Sequence, residues 1–103
     1  MKKLISLIAI MFTTIVSTAF AGDKVTIQLK WVTQAQFAGY YVAKDKGFYE
    51  AEGLDVTIKP GGPDIAPAQV LAGGGADVMV DWMPSALAAR EKGLPLVNIA
   101  QPF

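Results

Sequence analysis

The sequence predicts an α/β fold, a parallel-sheet sandwich lobe with helices on both faces. Segments with a strand pattern alternate with segments with a helix pattern from Asp23 onward. Glycine and proline clusters separate them. Val78–Val80, within the segment Ala76–Asp81, is a nearly continuous apolar run, which is typical of a strand buried on both faces of a parallel sheet. Right-handed crossovers between parallel strands would place the helices on both faces.

The first strand and helix surround a polar turn. The strand is predicted from apolar residues that recur at every second position, namely Val25, Ile27, Leu29 and Trp31. The turn Gln34–Gln36 follows, and then a helix over about Phe37–Lys46 that ends near Gly47. The helix is expected to bury the face that carries Ala38, Tyr41 and Val42.

Two further units repeat this plan. A second strand over Asp55–Lys59 ends at Pro60–Pro63, and Asp64 is the predicted N-cap of the next helix. A third strand, Val78–Val80, ends before Asp81, and Pro84 suits the first turn of the helix that follows. A fourth strand is predicted over the segment Leu96–Ala100, directly before Gln101.

Residues 1–21 have the pattern of a signal peptide. Lys2 and Lys3 precede an apolar segment, Leu4–Val16, and Ala19–Ala21 is a small-x-small cleavage site. Cleavage is therefore expected before Gly22. The alternative is a retained anchor, but the apolar segment is shorter than the roughly 20 residues of a spanning helix.

Composition excludes several classes of site. The 103 residues include nine basic and nine acidic side chains, with no cysteine and no histidine. This balance gives no electrostatic reason to expect a nucleic acid partner. Disulfides and thiolate metal sites are excluded, and carboxylates remain as the ordinary metal ligands. No metal site and no cofactor are predicted.

Four motifs carry a family resemblance: Lys30–Trp31, Phe37–Glu50, Glu52–Val56 and Leu71–Val78. In this order they resemble the solute-binding proteins of ABC importers, and within them the branch that binds thiamine-pyrimidine precursors. That branch is related to fungal hydroxymethylpyrimidine synthases. The resemblance implies a type 2 periplasmic binding protein with two lobes, of which residues 22–103 are the first part of lobe one, without the second lobe. Pyrimidine-binding relatives often carry Asn-x-x-His-Ala-Gly in the first turn, where this chain has Gln34–Gly39 with Phe37 in place of histidine.

The resemblance also implies a function and partners. It implies a periplasmic protein that captures a small heterocycle in a cleft between lobes and delivers it to the permease and ATPase subunits of an importer. It is not expected to be an enzyme, because synthase chemistry would call for histidine. The alternatives are a sensor domain of a signalling protein, a pyrimidine-synthase-like enzyme, or a binding protein for another solute such as a sulfonate or nitrate.

Candidate ligand-binding residues are those in turns at the carboxyl edge of the sheet, where open α/β folds bind ligands. They are Trp31, Gln34, Gln36, Tyr40, Gly61, Gly62, Asp64, Asp81, Trp82 and Gln101. Core packing is the alternative for Trp31 and Tyr40, solvation for the glutamines, and a plain capped turn for Gly61, Gly62 and Asp64. Asp81 is favoured, because a carboxylate that follows a buried strand lies at this edge.

The charges in these turns suggest a class of ligand. Lys59 is the only basic residue assigned to the turns, and Arg90 lies far along the third helix. The expected ligand is therefore a flat, neutral or weakly basic heterocycle whose amino group donates to Asp81.

Overall fold

A computed structural model describes residues 21–102. The predicted signal peptide lies outside these residues, except for Ala21. The elements, in chain order, are β1 (Asp23–Gln28), a 3-10 turn (Ala35–Phe37), α1 (Ala38–Asp45), α2 (Phe48–Ala51), β2 (Leu54–Lys59), α3 (Pro67–Ala72), β3 (Val78–Met79) and α4 (Met83–Glu91). Within the described part of the chain, no helix is both long and apolar enough to cross a membrane.

The three strands form a parallel sheet in the order β2-β1-β3. β1 pairs with β2 along its whole length, from Asp23 opposite Leu54 to Gln28 opposite Lys59. β3 pairs only with the end of β1, where Val78 lies opposite Ile27. The α/β class with a parallel sheet is therefore confirmed. The central position of β1 brings the ends of both neighbouring strands beside its own carboxyl end.

A small core lies around the central strand. Its buried members are Ile27, Leu29, Phe37 and Val56. Phe37 comes from the 3-10 turn and is 1% exposed. The partly buried side chains that pack against this cluster include Val25, Trp31, Tyr40, Tyr41, Tyr49 and Val78. The turn after β1 is therefore fixed by packing as well as by its backbone.

The buried face of α1 differs from the prediction. Ala38 and Val42 are exposed, whereas Tyr40 and Tyr41 pack against the core. The physical reason is Phe37, which anchors the start of the helix. Residues three and four positions after it lie on the same side of a helix, so the two tyrosines follow Phe37 into the core.

The third helix begins later than predicted. α3 starts at Pro67 with Ala66 as its N-cap, and no side chain caps it. Asp64 lies in an exposed turn, so the predicted Asp64 cap is wrong. A residue before proline avoids the α region. Ala66 accordingly has an extended backbone (φ −98°, ψ 104°), which prevents the helix from starting earlier.

The predicted fourth strand does not form within residues 21–102. Val97 and Ile99, its apolar positions, are 80% and 77% exposed. A strand requires a neighbour for its backbone groups. The segment is instead tied to the preceding helix, because Arg90 Nη1 donates to the carbonyl oxygen of Leu96 at 2.6 Å.

Candidate functional site

The ends of β1 and β3 meet at the carboxyl edge of the sheet. The backbone N–H of Val80 donates to the Gln28 carbonyl at 2.8 Å, just beyond the last paired residues. The two chain segments therefore leave the sheet side by side. This brings together four side chains from two segments, which we call the edge cluster: Lys30, Trp31, Asp81 and Trp82.

Two tryptophans form the aromatic part of the edge cluster. The rings of Trp31 and Trp82 are stacked, with centroids 6.3 Å apart and an interplanar angle of 26°. Trp31 also packs against the core, whereas Trp82 is 53% exposed. Trp31 therefore packs against both the core and the Trp82 ring. Trp82 offers an aromatic surface that a flat molecule could stack on.

An ion pair forms the polar part. Lys30 Nζ lies 2.9 Å from Asp81 Oδ1, and the two side chains are 16% and 4% exposed. The same carboxylate oxygen accepts a 2.8 Å hydrogen bond from the backbone N–H of Trp82. Lys30 Nζ also lies 4.9 Å from the centroid of the Trp82 ring, within the range of a cation–π contact. Asp81 is therefore held in place by two donors and is almost completely covered.

The prediction that Lys59 is the only basic residue near these turns is wrong. Lys59 Nζ donates to the carbonyl of Gly75 at 3.0 Å, whereas Lys30 carries the charge of the edge cluster. The pattern of alternate apolar residues extends to Trp31, and it therefore includes Lys30 in the predicted first strand. β1 ends at Gln28, so Lys30 lies in the loop at the edge. The prediction failed because it extended the first strand to Trp31, whereas β1 ends at Gln28.

Gly61 supports the edge cluster from the end of β2. Its backbone N–H donates to the Trp31 carbonyl at 2.8 Å. A Cβ atom at position 61 would lie 2.4 Å from the carbonyl oxygen of Leu29. Both Gly61 and Gly62 are buried. The predicted combination of these glycines with Asp64 at a helix start is not formed, because the helix begins only at Pro67.

The sequence did not predict the structural role of Gln28 at this edge. Gln28 lies on the polar face of the alternating pattern, opposite the apolar residues, but it is 3% exposed. Its Nε2 donates to the carbonyls of Leu29 at 3.0 Å and Pro60 at 3.1 Å, with a longer contact to Lys59 at 3.4 Å. The alternating pattern gave no signal for this burial, because Thr26, Gln28 and Lys30 occupy equivalent positions in it. Gln28 joins the carboxyl ends of β1 and β2.

The remaining candidates do not belong to the edge cluster. Gln34 and Gln36 are exposed, and the carbonyl of Gln34 accepts from Phe37 N–H at 3.0 Å. Tyr40 packs against the core, and burial raises the pKa of its phenol above the usual 10.0. Gln101 is exposed and lies outside the helices and strands.

Other features lie away from this edge. Within residues 21–102 no three acidic side chains come together in a way that could hold a metal ion. A hollow of about 290 Å³ lies near the amino end of β2, and its lining includes Gly22, Gly53 and Leu54. It is at the opposite edge of the sheet from the two tryptophans.

Comparison with known proteins identifies a family that the chain matches. Residues 34–103 match the family described as NMT1/THI5 like. The formylaminopyrimidine-binding protein of Halalkalibacterium halodurans is 35% identical over 95% of this chain and 32% of its own length. A 4-amino-5-hydroxymethyl-2-methylpyrimidine phosphate synthase of Saccharomyces cerevisiae is 29% identical over 79% of this chain and 25% of its own. The riboflavin-binding protein of Chloroflexus aurantiacus is 32% identical over 75% of this chain and 22% of its own. No solved structure matches the chain.

Two consequences follow from these similarities. The chain spans about a fifth to a third of the length of the curated relatives it matches. The expectation that the protein is not an enzyme is corrected, because several proteins similar to this chain are named synthases. The lack of histidine in this segment does not exclude catalysis, since a site can be completed by residues elsewhere in a longer protein.

Proposed function

The chain belongs to the NMT1/THI5-like family, and we propose that it supplies one wall of a binding site for a flat heterocycle of the pyrimidine class. The single observation that carries this proposal is the edge cluster, where Trp82 is half-exposed beside a mostly covered ion pair. A stacked aromatic surface favours a planar ring, and fixed charges orient its substituents. The similarity to a formylaminopyrimidine-binding protein supports the same class of ligand.

The finer proposal is a role in import. We propose that the protein is the extracytoplasmic solute-binding component of an ABC importer, with permease and ATPase subunits as partners. The leader-like pattern of residues 1–21 supports export. N-terminal sequencing of the protein purified from the periplasm should find Gly22 first. Retention of Met1 in a membrane fraction would contradict the export proposal.

Ligand titration of the full-length protein tests the binding role. A 4-aminopyrimidine with a hydroxymethyl substituent should bind saturably by calorimetry and quench tryptophan fluorescence, because the edge cluster contains both tryptophans of the chain. Trp82→Ala should weaken binding about tenfold or more, since stacking on an aromatic side chain contributes about 1–3 kcal/mol. Phe48→Ala, which removes an exposed aromatic ring on α2, is the matched control. Tight binding of alkanesulfonate or nitrate without heterocycle binding would contradict the proposal.

A pyrimidine-synthase-like enzyme is the second candidate. The similarity to a named synthase over 79% of this chain favours it. Recovery of the bound heterocycle by mass spectrometry separates the two roles. A binding protein releases its ligand unchanged, whereas an enzyme supplied with its substrates converts it.

A further inference from the structure

We propose that Lys30 selects the substituent of the ligand, and that this substituent presents an oxygen acceptor rather than an amino donor. The inference rests on the proposed function, because it assigns a chemical preference to the same edge cluster. It replaces the expectation that a ligand amino group donates to Asp81. The acceptor would be a carbonyl, formyl or carboxylate oxygen on the heterocycle.

The relative exposure of the two charged side chains supports this assignment. Asp81 is 4% exposed, and its Oδ1 already accepts from Lys30 and from the Trp82 backbone. Lys30 is four times more exposed, at 16%. A molecule that approaches this edge therefore meets the ammonium group before it meets the carboxylate.

The chemistry of the ammonium group points in the same direction. An ammonium group carries three N–H donors and no acceptor. The contact with Asp81 uses one donor, so donors remain for a ligand oxygen. A protonated amine in that position would be repelled by the like charge of Lys30.

The position of Lys30 relative to Trp82 sets the geometry. Nζ lies over the Trp82 ring, 4.9 Å from its centroid, and so flanks the exposed part of the ring against which a heterocycle would pack. A ring on Trp82 would therefore place a short substituent within reach of the ammonium. Asp81 acts as a positioning residue, because it holds Nζ at this point.

Two pyrimidines that differ only in this substituent test the inference. One carries a formylaminomethyl group and the other the parent aminomethyl group, which is protonated at neutral pH. The full-length protein should bind the formyl compound about tenfold or more tightly, because a charge-assisted hydrogen bond replaces a repulsion. Lys30→Met should remove this preference while the aromatic surface keeps its affinity for the ring.

Lys30→Met leaves a covered carboxylate without its cation, and this can prevent folding. A second variant keeps the test valid in that case. The double variant Lys30→Gln/Asp81→Asn replaces the ion pair by a neutral pair of similar shape. It should fold and lose the same preference. Lys30→Arg retains a cation and should therefore keep the preference of the wild-type protein.

The outcomes separate the inference from the proposed function. Equal binding of the two pyrimidines, tighter binding of the amine, or an unchanged preference in either neutralised variant would overturn the role of Lys30 and leave heterocycle binding in place. Failure of both pyrimidines to bind the wild-type protein would reject the proposed function, and the inference with it.

Discussion

Lys30 Nζ and Asp81 Oδ1 lie 2.9 Å apart, although the two residues are separated by most of the described chain. Their contact links the loop after β1 to the loop after β3. The pair is mostly covered, so its charges are less screened by salt than those of an exposed pair. The pair therefore fixes the relative positions of the two loops at the edge where the ligand is proposed to bind.

A double-mutant cycle measures this link. Lys30→Met should destabilise the fold, because it leaves the carboxylate of Asp81 covered and without its cation. Asp81→Asn should cost less after Lys30→Met than before it, with a coupling free energy of about 0.5–3 kcal/mol. Urea unfolding of the four proteins provides the values. Lys46→Met, an exposed lysine on the turn after α1, is the control; additive effects of the two edge substitutions would contradict the link.

Gln28→Leu should destabilise the protein by about 1–3 kcal/mol, because it removes the donor of one buried and one partly buried hydrogen bond to backbone carbonyls. The carbonyls concerned belong to Leu29 and Pro60. Gln69→Leu is the matched control, since Gln69 is exposed on α3. Thermal melts of the two variants should differ clearly. Equal melting temperatures would show that the amide of Gln28 contributes no more to stability than the solvated amide of Gln69.

Gly61→Ala should destabilise the protein by about 1–3 kcal/mol through overpacking. The new methyl group would lie 2.4 Å from the Leu29 carbonyl oxygen and 2.5 Å from the carbonyl carbon of Lys30, so the loop carrying the edge cluster must move. A change in tryptophan fluorescence should accompany the loss. Gly39→Ala is the control, because nothing lies within 4 Å of a Cβ atom there. In a helix that change should stabilise by about 0.5–1 kcal/mol, and a Gly61→Ala protein with unchanged stability would refute the close approach.

Stability should fall at high pH because of two tyrosines. Burial raises the pKa of Tyr40 above 10.0, and burial followed by the charge of Tyr40 raises that of Tyr49. A phenol with a raised pKa ionises first in the unfolded chain. Its contribution to stability is therefore complete below pH about 10 and is lost as the pH rises through the folded-state pKa.

Melting temperatures between pH 8 and pH 12 test this prediction. The wild-type melting temperature should decline above pH about 10, the usual pKa of tyrosine. Tyr40→Phe should show a shallower decline, because it removes one of the two titrating groups. It also removes the charge of Tyr40, which raises the pKa of Tyr49. An identical slope in Tyr40→Phe would contradict the assignment.

The α/β class follows from local patterns. Apolar periodicity and the glycine and proline clusters were enough to place the first three strands and α1, since these signals depend on neighbouring residues only. They placed the start of α3 too early and did not predict the short helix α2. The same patterns placed Trp31, Asp81 and Trp82 at the carboxyl edge. They also predicted a fourth strand, which does not form within residues 21–102, because a pattern does not supply the neighbouring strand that pairing requires.

Tertiary structure decided which basic residue lies at the carboxyl edge of the sheet. A strand that ends at Gln28 rather than Trp31 moves Lys30 into the edge loop, and the pairing of β1 with β3 brings it to Asp81. The buried position of Gln28 likewise follows from the carbonyls that surround it. Periodicity describes which face a residue occupies along one segment. Contacts between residues some fifty positions apart arise only when the segments pack, and these contacts decided the chemistry of the edge.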